Sequence, residues 1–225
     1  MHAPSNKMNT VQNLSLNRYQ WASSLINSMN EPVVKVFDVG ARDGVIFNLI
    51  QKNIEYTAFD LAPKNDQIIP WDLTFQAPEG IGKCDVILLL DVLEHLNNPW
   101  ICIKNLVNTL KLGGKLILTT PNPFHSEARF TLFAKGWMPC FSESDLILNH
   151  HVFTPRPHVI NKLLADNGIK IEEILTLDGK TVIFDKKLLE NPFRIFKRII
   201  KWTMENRNKM AGGMSLGIIA RKIND

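Results

Sequence analysis

Residues 36–45, VFDVGARDGV, carry β-branched and aromatic side chains into two glycines separated by Ala41, Arg42 and Asp43. Such a run reads as a buried strand over 33–39 that ends in a tight turn and feeds a helix over 44–52. Gly40 and Gly44 let a ligand approach the backbone, with main-chain NH groups and a helix N-terminus turned toward it. The spacing is GxxxG, with Arg42 standing where a dinucleotide fold wants its middle glycine, and this counts against close contact with a pyrophosphate.

Outward from this turn, 55–60, 67–71, 84–90 and 114–120 read as further strands, and 98–110 as a second helix that opens on Asn98 and Pro99, a cap and a first-turn residue. Alternation of this kind predicts βαβ units and a mostly parallel sheet. The run DVILLL is apolar on both faces, as expected of a central strand covered by helices on each side. Upstream, LSLNRYQWASSLINSM (14–29) spaces Leu14, Tyr19 or Trp21, Leu25 and Met29 as a helix that packs on the sheet or lids a site. Downstream, 121–153 is rich in proline and aromatics without a clean period, the kind of insertion that shapes a pocket. Thr154 and Pro155 are expected to start a helix that Asn167 and Gly168 end, before strands in IKIEEIL and MSLGIIARK.

A chain of 225 residues with 45% apolar and 21% charged residues has the size and composition of one folded globular domain, which excludes fibrous and disordered classes. No apolar run approaches a membrane span, and MHAPSNKMNT lacks the basic-then-apolar layout of a secretory signal, so the expected location is the cytoplasm. Cys84, Cys102 and Cys140 form no CxxC pair and read as reduced structural thiols. The net charge of +4 is unevenly spread: within 186–210, eight basic residues face two acids, a local +6.

Acids recur at the strand ends. Asp60 closes the second strand 22 residues after Asp38, where a carboxylate can accept both ribose hydroxyls of a nucleoside; the alternative is a turn or cap aspartate. Asp72, in WDLTF, follows the next strand and can accept an adenine amino group.

With these residues the chain resembles the class I S-adenosylmethionine-dependent methyltransferases, from about residue 33 to 175 and again over the last strand. DVGARDG matches the family's DxGxGxG, with Arg42 departing; AFD and WDL match its ribose-side and adenine-side acids. CDVILLLDVLEHLNNP matches the fourth strand with its LEHL signature, and LKLGGKLILTTPNP the strand beginning LKPGG, with Leu112 in place of proline. The resemblance implies an α/β, Rossmann-like, seven-stranded, mostly parallel sheet with helices on both faces. Residues 1–225 then form one methyltransferase domain, with an N-terminal helix in 1–31 and insertions 121–153 and 178–212 shaping the acceptor side.

It also implies S-adenosylmethionine as cofactor. Gly40 and Gly44 would admit its amino-acid end, Asp60 would hold the ribose, Asp72 and Leu73 would flank adenine, and the backbone near Asp91 would border the methionine part. Asp38, Ala41 and Leu61 stand beside them in that site. The cofactor has no phosphate, so a side chain at Arg42 is tolerated and could offer a cation to the methionine carboxylate.

A sulfonium is already an activated methyl donor, so the enzyme mainly aligns a nucleophile and excludes water, with a base adding to a hydroxyl acceptor's reactivity. Candidates for that base are Glu94, His95, His125, His150 and His151, with His125 favoured because it follows strand five on the ligand side. Glu94 and His95 could instead cap a loop, and one of His150 and His151 could be a packed histidine. No resident metal is assigned. One alternative does use one: Asp91, Glu94 and His95 with His150 or His151 resemble the metal-binding set of small-RNA 2′-O-methyltransferases, which share EHL, TTPN and a later histidine. Another alternative is a non-catalytic cofactor-binding protein.

KKLLENPFRIFKRIIKWTMENRNK sets Phe193, Phe196, Ile200 and Thr203 on one helical face, with Ile199 and Trp202 beside them and basic residues around. Three readings stand: a helix covering the sheet edge or lidding the pocket, a peripheral membrane contact through 187–205, or nucleic-acid binding, against which the lack of interleaved stacking residues counts. The expected function is S-adenosylmethionine-dependent O-methylation of a small-molecule, sugar or lipid-type acceptor, with the oligomeric state open.

Overall fold

The architecture comes from a computed structural model that describes residues 11–30, 34–179 and 192–224. Seven strands form one sheet: β1 (Val34–Val39), β2 (Ile54–Asp60), β3 (Ile68–Pro70), β4 (Cys84–Leu90), β5 (Leu110–Pro121), β6 (Ile169–Leu177) and β7 (Ser215–Lys222). Their order in space is β3-β2-β1-β4-β5-β7-β6. Strands β1 to β5 pair in parallel, and β7 runs antiparallel between β5 and β6. The chain leaves β1 first toward β2 and later toward β4, and a reversal of this kind opens a crevice at the carboxyl ends of the strands.

Apolar residues on both faces of the central strands demand cover on both sides. On one side, Cys102, Ile103 and Leu106 of α2 (Pro99–Val107) and Ile160, Leu163 and Leu164 of α5 (Pro157–Ala165) pack on Phe37, Ile87 and Leu116. On the other, Trp21, Ala22 and Ile26 of α1 (Arg18–Asn27) pack on Val36, Val86, Leu88 and Ile117. α1 starts on a capping box in which Asn17 and Gln20 satisfy each other's backbone, and α2 on Asn98, whose side chain accepts from Ile101 N at 3.3 Å.

Three expectations change. The segment 44–52 is a 3-10 turn over Val45–Leu49 and not an α-helix. β-Branched Val45, Ile46 and Ile50 disfavour a helix, only nine residues separate Gly44 from β2, and Asn27 ties the turn down by bonding Leu49 O and Gln51 N. Within 121–153 lie two helices, α3 (Ser126–Lys135), closed by left-handed Gly136, and α4 (Glu143–Asn149), opened by a Ser142 and Asp145 capping box. The helix expected to start at Thr154 starts at Pro157, the proline that takes the first-turn position.

α6 (Pro192–Arg207) packs on α3. The neighbouring stretch 180–191, with Lys186, Lys187 and Glu190, lies outside the described residues, as do 1–10 and 31–33. Among the described residues no helix is long and apolar enough to cross a membrane.

Candidate active site

The turn after β1 is built by its own backbone. Gly40 N and Ala41 N both donate to Phe59 O, at 2.8 and 3.0 Å, and Gly44 N donates to Ala41 O at 2.9 Å. The amides of Gly40, Ala41 and Gly44 are therefore spent on the fold, and a 3-10 turn over Val45–Leu49 follows where the N-terminus of an α-helix was expected. Gly40 is required twice over: its φ is +76°, and a Cβ there would come within 2.3 Å of Val92 from the loop after β4. Arg42 itself is left-handed, φ 55°, a conformation that favours glycine, so a side chain there carries a cost.

Asp60 is fixed by the same turn. Its Oδ2 accepts Arg42 N at 2.8 Å and its Oδ1 accepts Ala62 N at 2.9 Å. A carboxylate offers about four lone-pair positions, so two remain, one per oxygen, matching the two hydroxyls of a ribose. Leu61 beside it is largely exposed. Asp38, by contrast, is buried and accepts the Tyr56 hydroxyl at 2.6 Å. Burial pushes its carboxyl up to about 6 against that hydrogen bond, with Asp60 adding to the rise. Asp38 thus braces the strand end from below. Asp72 closes a local turn, its Oδ1 accepting both the amide and hydroxyl of Thr74, which hold its carboxyl below the usual range. Leu73 is buried, and its carbonyl accepts Asn105 Nδ2 at 2.9 Å.

The ends of β4 and β5 are made of side chains from distant segments. Asp91 has φ 54°, donates its NH to Thr119 O at 3.0 Å, and accepts Thr119 Oγ1 at 2.7 Å and Arg18 Nη1 at 2.5 Å. Arg18 also donates to the Tyr19 hydroxyl at 3.0 Å. Burial works against its charge, but Asp91 and Tyr19 hold the guanidinium above its ordinary pKa. Its Nε is the one buried side-chain polar atom without a partner among the described residues.

Glu94 is buried, and its carboxylate accepts Thr120 Oγ1 at 3.0 Å. Burial, and then the nearby Asp91 charge, push its carboxyl up to about 8. Its carbonyl accepts Val152 N and Phe153 N, at 2.9 and 3.0 Å, and this clamp draws the segment after α4 onto the LEHL turn. His151 consequently meets His95, ring centroids 4.8 Å apart at 67°. His150, the left-handed residue that ends α4, is exposed and outside the group. His151 Nδ1 lies 2.6 Å from Cys140 O; a carbonyl only accepts, so Nδ1 carries a hydrogen and donates. Burial and then His151 lower the His95 pKa, keeping it neutral. One donor atom each from Glu94, His95 and His151 fall within 4.8 Å of one another.

Beyond β5 lies a cavity of about 260 Å³, lined by Asn122, His125, Glu127, Cys140, Lys201 and Glu205 among others. Burial, then Lys201, lower the His125 pKa. Its lining contains His125 but not Glu94, His95 or His151, so the candidate bases divide between two places that meet at Cys140. Asn122 of the TTPN stretch is spent on structure, donating to Met210 O and Gly213 O at 2.6 and 2.8 Å. Cys84 and Cys102 are buried, and burial raises all three thiols, Cys84 to about 12, which disfavours the thiolate. Sequence reading missed Arg18 and Thr120; nothing local marks either one, since Arg18 reaches Asp91 across 73 positions.

This strand order is that of the class I S-adenosylmethionine-dependent methyltransferase fold. The chain belongs to the methyltransferase-domain family, whose pattern matches residues 15–174. Ubiquinone biosynthesis O-methyltransferase of Rickettsia typhi is 30% identical over 161 residues, covering 63% of this chain and 62% of that protein. The protein of the same name from Xanthomonas axonopodis is 25% identical over 165 residues, covering 66% and 68%. The chain thus matches less than two thirds of the Rickettsia protein's length. In fold, an S-adenosylmethionine-dependent methyltransferase from Archaeoglobus fulgidus superposes with a TM-score of 0.60 at 15% identity, covering 91% of this chain and 92% of that one.

Proposed function

We propose that the chain, acting as one domain, moves the sulfonium methyl of S-adenosylmethionine onto a hydroxyl oxygen of a small or lipid-type acceptor. The observation that carries this reading is the meeting of Glu94, His95 and His151 at the end of β4, beside the crevice end where Asp60 waits with open lone pairs. The names of the O-methyltransferase relatives support a hydroxyl acceptor.

In this reading Asp60 holds the ribose, Asp72 and Leu73 border adenine, and Gly40, Ala41 and Gly44 let the amino-acid end lie against the turn. Arg18, pinned by Asp91, turns its positive charge toward the methionine carboxylate. The acceptor reaches from the cavity lined by His125, whose wall is formed by α3 and α6, past Cys140 to the Glu94, His95 and His151 group. His95 would take the hydroxyl proton of the acceptor, and S-adenosylmethionine, when bound, would supply an activated methyl group whose sulfonium sulfur leaves as a neutral thioether. Above about pH 8 the Glu94 carboxyl, held by Thr120 Oγ1, gives the resulting imidazolium an anionic neighbour. Acid–base help of this kind contributes ~10² to 10⁴ in rate.

The test uses S-adenosylmethionine labelled in its methyl group with phenolic, sugar and prenylated-phenol acceptors, product mass being read. Transfer to a hydroxyl by the wild type, lost in His95→Gln while S-adenosylhomocysteine still binds, is the expected outcome; a wild type that binds neither form of the cofactor would overturn it.

A second reading is favoured by the donor set itself. A carboxylate oxygen and two imidazole nitrogens suit a divalent cation, and His151 already donates from Nδ1 to a carbonyl, as metal-ligating histidines do. Glu94, His95 and His151 would hold the ion, which when bound lowers the pKa of a coordinated hydroxyl. Asp91 lies outside this converging group, and its charge is already paired with Arg18. Chelator treatment separates the readings: activity lost and restored by Mg²⁺, Mn²⁺ or Zn²⁺ selects the metal, and unchanged activity removes it.

A further inference from the structure

α6 is packed with its charged side inward. Lys197 and Lys201 both pair with Glu127 of α3, Lys201 at 2.9 Å, and Glu205 accepts Ser126 Oγ at 2.6 Å. The apolar side faces out: Phe193, Phe196, Ile199 and Trp202 follow at every third position and are each 56% to 62% exposed, Phe193 with its ring also meeting Phe130 of α3. Beside α6, Phe133 of α3 is 87% exposed. The face differs from the one the periodicity suggested, since Ile200 and Thr203 are half-buried and Ile199 and Trp202 take their place. A helix that only covered the sheet edge or lidded the cavity would bury this stripe and expose its lysines.

Charge indicates what covers the stripe. Pro192–Arg207 carries Arg194, Lys197, Arg198, Lys201 and Arg207 against one acid, Glu205, and that acid is turned inward. Arg194, Arg207 and the following Lys209 are exposed. A second copy meeting this face across a two-fold axis would set one basic rim against another. An anionic lipid surface accepts both the aromatic stripe and its cations.

We propose that the outward face of α6 seats on an anionic membrane surface, with Phe193, Phe196, Ile199 and Trp202 at the headgroup boundary and Arg194, Arg207 and Lys209 on lipid phosphates. Arg198, Lys201 and Glu205 on the inward side line the 260 Å³ cavity, so the helix separates the lipid from the acceptor space. Resting on the function proposed above, this selects an acceptor drawn from the lipid phase.

The test is sedimentation of the full chain with phosphatidylcholine vesicles, with and without phosphatidylglycerol. The wild type is expected to sediment with the anionic vesicles, less as salt rises, and the Phe196→Ser/Trp202→Ser variant to bind at least about tenfold more weakly with unchanged melting temperature and S-adenosylhomocysteine affinity. Should that variant misfold, Arg194→Glu/Arg207→Glu is expected to lose the same binding. The proposal is overturned if the wild type stays in solution, if a folded variant sediments as the wild type does, or if the wild type self-associates without lipid and the variant abolishes it, which would make a second copy the occupant. Cofactor affinity, measured separately, reports on the function and not on the membrane.

Discussion

The two ends of the crevice are made of different materials. At β1 and β2 the backbone does the holding: Gly40 and Ala41 donate their amides to Phe59 O of β2, Gly44 to Ala41 O, and Asp60 is oriented by two main-chain NH groups, of Arg42 and Ala62. At β4 and β5 the holding is by side chains of residues far apart in sequence, Arg18, Asp91, Glu94, Thr119, Thr120 and His151, several of them buried and ionisable. The first end costs little beyond a few left-handed residues. The second desolvates a carboxyl, which opposes folding unless the group stays neutral. Affinity for the cofactor and reactivity toward the acceptor should therefore be separable by mutation.

The strongest break of that division is His95→Gln, expected to lower kcat by ~10² to 10⁴ while leaving S-adenosylhomocysteine affinity within about twofold. A change below about threefold in kcat would return the role of base to His125.

Glu94 sharpens the contrast through pH. In the unfolded chain its carboxyl titrates near 4.5, and in the folded site near about 8. A raised pKa means the folded state keeps the proton longer, so this contribution is fully present below pH 4.5, falls away between there and pH 8, and is flat above. Glu94→Gln should remove that slope and raise stability at pH 8 by on the order of 2 to 4 kcal/mol, even as it slows turnover. Chemical denaturation at several pH values reads it, and a slope unchanged in the variant would place the titration elsewhere.

Asp60→Ala is expected to weaken S-adenosylhomocysteine binding by about 10- to 100-fold, the worth of one or two charge-assisted hydrogen bonds, with kcat at saturating cofactor nearly unchanged. Calorimetry decides it, and wild-type affinity would remove the ribose role. Arg42→Gly is the smallest change. Relief of a left-handed side chain and the greater freedom of glycine when unfolded nearly cancel, leaving a gain of at most about 1 kcal/mol, and the bond to Asp60 survives because it comes from the main chain. A large loss of cofactor affinity would show that the guanidinium contributes directly.

Sequence patterns located the residues that build the first end of the crevice and missed several that build the second, for a physical reason. Strand periodicity, the two glycines and Asp60 are local, so β1 to β5 and the turn after β1 follow from neighbouring residues. Even there the turn's amides were misread, because their acceptor, Phe59 O, belongs to the next strand. The choice between His150 and His151 depends on a clamp from the Glu94 carbonyl, and the role of Arg18 on a contact across the whole of β1 to β4. Helix α6 was legible as amphipathic, but which side faces in is set by Glu127 on another helix.

A crystal structure with S-adenosylhomocysteine bound tests the division of the crevice most directly. The account predicts both ribose hydroxyls on Asp60 and the cofactor sulfur facing the Glu94, His95 and His151 group, close enough for an acceptor oxygen to sit about 3 to 3.5 Å from the methyl carbon. A ribose held elsewhere, or a sulfur turned away from His95 and His151, would contradict it.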